Sequence, residues 1–135
     1  MKKDINPSQI KDVAITVVKE VNELNQDEWN VYLINMTDEK LQQVLVSSRG
    51  YLKLENGEET KTTTLRHALG DVEPMSFVKI EPIMDDVFRL HNEYWLSFFK
   101  DNELLDKKYI FLAETIKEEN LIAVPIIFKK GILIK

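Results

Sequence analysis

The chain has no cysteine, so disulfides, thiolate nucleophiles and thiolate metal sites are excluded together. Its four glycines stand apart, at positions 50, 57, 70 and 131, and no glycine-rich phosphate loop can be assembled from them. Long apolar runs are missing as well. Stretches such as Val13 to Val18 fall far short of the ~20 residues that cross a bilayer as a helix. The opening residues, MKKDINPSQI, meet Asp4 and Pro7 where a secretory signal needs an apolar core, which points to a cytoplasmic protein. Arginine is scarce, at three residues, and the formal net charge is −5. Binding to nucleic-acid backbone is not expected of such a chain, because it depends on cations neutralising phosphates.

What is present suits one folded domain, residues 1–135. At 44% hydrophobic content the chain has enough apolar material for a core that needs no metal or cofactor. Period-two alternation dominates. Val13, Ile15 and Val17 alternate with Ala14, Thr16 and Val18, which predicts a strand buried on both faces. Further strands are expected at Trp29–Ile34, Gln42–Ser48, Tyr51–Leu54, Ser76–Glu81, Tyr94–Phe99, Lys107–Leu112 and within 121–135. Asn56-Gly57 is a hairpin signal, Lys100–Glu103 reads as a tight turn, and Lys130-Gly131 reads as another. Ser48-Arg49-Gly50 suggests a kink or bulge, and Pro125 an edge position. In SFVKIE, residues 76–81, Phe77, Lys79 and Glu81 alternate against Val78 and Ile80. Short strands at this spacing predict an all-β fold, an antiparallel sandwich of immunoglobulin-like type. Thr64, followed by Leu65–Leu69 and then Gly70, predicts one short helix near residues 64–70. Met84–Phe99 reads as a loop followed by a strand, with a helix as the alternative.

The three arginines and two histidines, Arg49, Arg66, His67, Arg89 and His91, all lie between residues 49 and 91, whereas fifteen lysines are spread end to end. Arginine forks onto carboxylates and phosphates, and histidine moves protons near neutral pH. Arg49, Thr64, Arg66 and His67 are therefore the candidate ligand-binding residues, suited to a small anion. The competing reading makes Thr64 a helix cap and pairs Arg66 with a carboxylate. Asp85, Asp86, His91 and Glu93 have ligand types that suit zinc or manganese, but a fixed site wants three ligands and Asn92 suggests a turn, so no metal is expected. Ser47, Ser48, Ser76 and Ser97 lack a nucleophile-elbow setting, and no catalytic residue is assigned. Tyr32, Tyr51, Trp95 and Phe99 would stack bases or sugars on a shared exposed face; in a sandwich they are expected in the core.

Several stretches, EWNVYLIN (28–35), LVSSRGY (45–51), TLRH (64–67), KIEPIMDDVF (79–88), NEYWLSF (92–98) and KKYIF (107–111), resemble a family of short bacterial proteins of unassigned role. The resemblance covers most of the chain. Some family members carry the label of an α subunit of phenylalanyl-tRNA synthetase, which implies a class II core. Phe88-Arg89-Leu90-His91 echoes the first ATP motif of such a core, while its glycine-rich strand ending in Glu-Arg has no counterpart here.

Together these features predict a non-catalytic binding or interaction module without cofactor, forming a homodimer or meeting a protein partner through an edge strand, away from membranes. The alternatives are an anionic-ligand or enzymatic site around Arg49, Arg66 and His67, and a translation-linked role as the synthetase label implies.

Overall fold

β-Branched and aromatic residues at period two build ten strands in the computed structural model, which describes residues 10–135. The lysine-led opening stretch lies outside those residues. The strands are β1 (Val13–Val21), β2 (Asp27–Asn35), β3 (Leu41–Lys53), β4 (Glu59–Lys61), β5 (Leu65–Val72), β6 (Ser76–Ile83), β7 (His91–Lys100), β8 (Glu103–Phe111), β9 (Ile122–Val124) and β10 (Lys129–Ile134). They form two antiparallel sheets. The first runs β6-β2-β1-β10-β9. The second runs β4-β3-β7-β8, with β5 also paired to the long strand β3. β5 takes the Leu41–Ser48 part of β3, and β4 takes Tyr51–Lys53.

The inward faces interdigitate. Val13, Ile15 and Val17 of β1 and Val31 and Leu33 of β2 share one core with Val44, Val46, Tyr94, Leu96 and Phe98 of the second sheet. Each such side chain contributes about 1.5–3 kcal/mol on burial. A smaller cluster of Val18, Ile34, Val124 and Ile127 covers part of the first sheet's outer face. The turn after β9 folds back to supply it, with Ile126 (φ 69°) and Phe128 (φ 56°) in left-handed backbone. Residues Val13–Val18 are consequently buried on both faces, as their apolar run implies.

The tight turn at Lys100–Glu103 is present, with Asp101 and Asn102 both at positive φ (52° and 63°), the twist that suits a two-residue hairpin. Asn56-Gly57 turns β3 into β4, with Gly57 at φ 90°. Met84–Phe99 is a 3-10 turn at Asp85–Val87 followed by β7. No helix among the described residues is long and apolar enough to cross a membrane.

Four expectations change. The short helix near residues 64–70 is strand β5, because its backbone pairs with β3 from Ser48↔Leu65 to Leu41↔Val72. A ladder of that length outweighs the modest helix propensity of Leu-Arg-His-Ala-Leu. Gly70 (φ 73°) serves a bulge, not a helix cap, where the β3–β5 register shifts opposite Gln43 (φ 51°). Gly50 lies inside β3 with no bulge, its register against β7 unshifted from Leu45 to Tyr51; a Cβ there would stand 3.1 Å from Leu90. Lys130-Gly131 is part of β10, where a Gly131 Cβ would meet Thr16 Oγ1 and the Val17 carbonyl at 2.7 Å. Lastly, Trp95 is exposed and Tyr32, Tyr51 and Phe99 are half-buried; the fully buried aromatics are Tyr94, Tyr109, Phe98 and Phe111.

Candidate functional site: a cleft over a half-buried carboxylate

A cleft of about 450 Å³ opens where β3 and β5 of the second sheet face β6 of the first. Leu65, Pro82, Ile83, Met84 and Val87 give it apolar walls, while Ser48, His67, Glu81 and Tyr94 bring polar groups to it. Glu81 is the centre of these. Its Oε1 accepts from Ser48 Oγ at 2.9 Å and from His67 Nε2 at 2.7 Å, and its Oε2 accepts from the Tyr94 hydroxyl at 2.9 Å. Tyr94 and Ser48 are buried, at 1% and 5% exposure, so their donors reach no solvent in place of Glu81.

Local backbone geometry puts the carboxylate there. Strict alternation of SFVKIE would turn Glu81 away from the core with Phe77 and Lys79. Instead the β2–β6 register shifts between Val31 and Tyr32: Tyr32 faces Lys79, Val31 faces Glu81, and Ile80 is the extra residue. Such a bulge re-aims the side chain that follows it. Ile80 remains in the core, and Glu81 comes inward beside it. Pro82, which donates nothing to a ladder, is tolerated because β6 is an edge strand.

Burial first, then the charge and hydrogen bond of Glu81, hold the Tyr94 phenol protonated well above its ordinary value. Ser48 and His67 both direct their bonds to the same carboxylate oxygen and not to each other. A serine–histidine nucleophile pair requires a bond between the two, which these side chains do not make; both hold the carboxylate in place.

The four residues named from the sequence fall on two faces. His67 reaches the cleft through Glu81. Arg49 borders the cleft, but its guanidinium bonds Glu93 at 3.3 Å and lies 4.9 Å from the Tyr51 ring centre, on the outer side of the second sheet. Arg66, paired with Ser47, faces that outer side too, in a depression of about 340 Å³ lined also by Leu45, Trp95 and Ser97. Thr64 is exposed just before β5 and caps no helix. Of the metal-type residues, His91 Nδ1 accepts from the Ala113 N–H at 2.9 Å, and Glu93 pairs with Arg49 and Lys108. Among the described residues no group of three His, Asp or Glu stands close enough to hold a metal ion. Sequence reading missed Glu81 and Tyr94, since both sit within strand patterns that look purely structural.

A second carboxylate cluster offers a control inside the same molecule. On the outer face of the first sheet, Glu20 accepts from the Tyr32 hydroxyl at 2.6 Å and from Asn30 Nδ2 at 2.8 Å, and forms an ion pair with Lys129. Burial acts to raise its pKa, but the bonds from Lys129, Tyr32 and Asn30 outweigh it and hold the carboxyl below its ordinary value. Family models, curated proteins and solved structures contain no match to this chain.

Proposed function

We propose that this protein is a non-catalytic binding module that takes a small ligand in the cleft between β5 and β6. The observation that carries this reading is the mostly buried Glu81 carboxylate, aimed into an apolar recess by a bulge and oriented by three donors. A concave, mostly apolar cavity with a few convergent polar groups is the usual form of a ligand site. The absence of a Ser48–His67 bond supports binding over catalysis.

The scaffold under this proposal is immunoglobulin-like. The neighbours β1-β2-β6 correspond to strands A-B-E of that fold and β3-β7-β8 to C-F-G, with β5 added beside β3 as C′ is in variable-type domains. The β9–β10 pair extends the sheet beyond β1. The synthetase label of the resembling family fits the cleft poorly, because Glu81 and Asp86 would repel a phosphate there.

A fragment screen followed by methyl NMR on the full chain tests the reading. Hits are expected to shift the methyl signals of Leu65, Ile83, Met84 and Val87; a set of hits that all map elsewhere would overturn it. A second reading, an interaction surface on the outer face of the second sheet, is favoured by exposed Leu45, Trp95 and Leu104 beside Arg66 and Lys108. Light scattering after size exclusion checks its homodimer form: a dimer that Trp95→Glu dissociates supports it, and a monomer at high concentration ends it.

A further inference from the structure

We infer that the cleft is built for an organic cation, an ammonium or amidinium head on an apolar body. This rests on the cleft being the binding site. A carboxylate offers about four acceptor positions. Ser48 and His67 occupy two on Oε1 and Tyr94 occupies one on Oε2, which leaves a place for one more donor. The side chain keeps 12% exposure and lines the cleft, so that place is reachable from it.

The charge balance selects the donor. Among the described residues, no lysine or arginine pairs with Glu81; its titratable partners are His67 and the Tyr94 phenol, and of these only the imidazole can carry a positive charge. The other acid at the cleft is Asp86, and the nearest arginine, Arg49, has its guanidinium turned to the outer face against Glu93 and Tyr51. An entering anion would meet two acids and, among the described residues that line the cleft, no lysine and one arginine already paired with Glu93. An entering cation meets an acceptor already oriented and partly shielded from water, where charge-assisted hydrogen bonds are strong. Leu65, Pro82, Ile83, Met84 and Val87 remove water from the rest of the molecule, and the unbranched Met84 adapts to its shape. Glu20 shows the contrary arrangement, with Lys129 filling the place that a ligand cation would take at Glu81.

Three probes of one shape, benzylammonium, benzyl alcohol and benzoate, separate the possibilities when titrated into the full chain with methyl NMR as readout. Benzylammonium is expected to move the Leu65, Ile83, Met84 and Val87 signals with an affinity about tenfold or more above benzoate. Its binding should weaken with added salt, and Glu81→Gln should reduce it to the level of the alcohol. Benzyl alcohol or benzoate binding in the cleft as tightly as the ammonium would overturn the inference while leaving the cleft a binding site. If none of the three moves the cleft signals, the inference and the binding-site reading both fall. The comparison of probes on the wild-type chain decides the matter even if Glu81→Gln folds poorly.

Discussion

Glu20 and Glu81 have nearly the same immediate surroundings and opposite settings. Each side chain is mostly buried, at 13% and 12% exposure, and each accepts a tyrosine hydroxyl and two further donors. At Glu20 one donor is the Lys129 ammonium, so the charge is cancelled within the fold, on the outer face of the first sheet. At Glu81 the partners are Ser48, His67 and Tyr94, and the carboxylate lines a cleft. The difference teaches that burial and hydrogen bonding alone do not mark a site. What sets Glu81 apart is a carboxylate that, among the described residues, has no lysine or arginine paired to it and borders a cleft.

The largest expected effect comes from removing each hub. Glu81→Leu strands the Tyr94 hydroxyl and Ser48 away from water and should cost about 2–4 kcal/mol in urea denaturation. Glu20→Leu should cost about 1 kcal/mol, because half-buried Tyr32 and exposed Lys129 can turn to solvent. Equal losses would erase the distinction.

Alkaline titration sharpens it next. Tyr94 is held protonated by burial and by Glu81, Tyr32 by burial and by Glu20, and Tyr109 by burial. A raised folded-state value means stability that is full below the ordinary 10.0 and lost as pH climbs past it. Absorbance at 295 nm near pH 11 should therefore fall short, by most of three tyrosines, of that of the urea-unfolded chain. Full native ionisation at that pH would refute the burial of both hubs.

Acid titration isolates Glu20. Its lowered value means stability that is present above the ordinary 4.5 and lost as pH falls through the folded-state value. The gap in melting temperature between wild type and Glu20→Gln should be widest near neutrality and narrow as pH falls below the ordinary 4.5. A gap independent of pH would show that the charge on Glu20 does not matter. The smallest effect belongs to Lys129→Met, at about 0.5–1 kcal/mol and shrinking in high salt, since the lysine is half exposed.

Much of the fold was legible because it depends on residues close together in the chain. Val13–Val18 announced a strand buried on both faces, and Asn56-Gly57 and Lys100–Glu103 announced their hairpins. His67 was singled out and does reach the cleft, while Arg49 and Arg66 were singled out and face the other side of their sheet. Alternation could not separate them, because it divides neighbours between two faces without saying which face meets a cleft.

The amino-acid sequence by itself determined the strand content, the main turns and the apolar face of β1, all consequences of period two and turn chemistry. Only the tertiary structure decided that LRHALG is a strand, since its pairing partner β3 begins more than twenty residues earlier. It also decided that Glu81 faces inward, because a register shift against β2 turns one residue of an alternating strand to the other side. Pairing register is a property of two segments at once, and neither segment alone carries it.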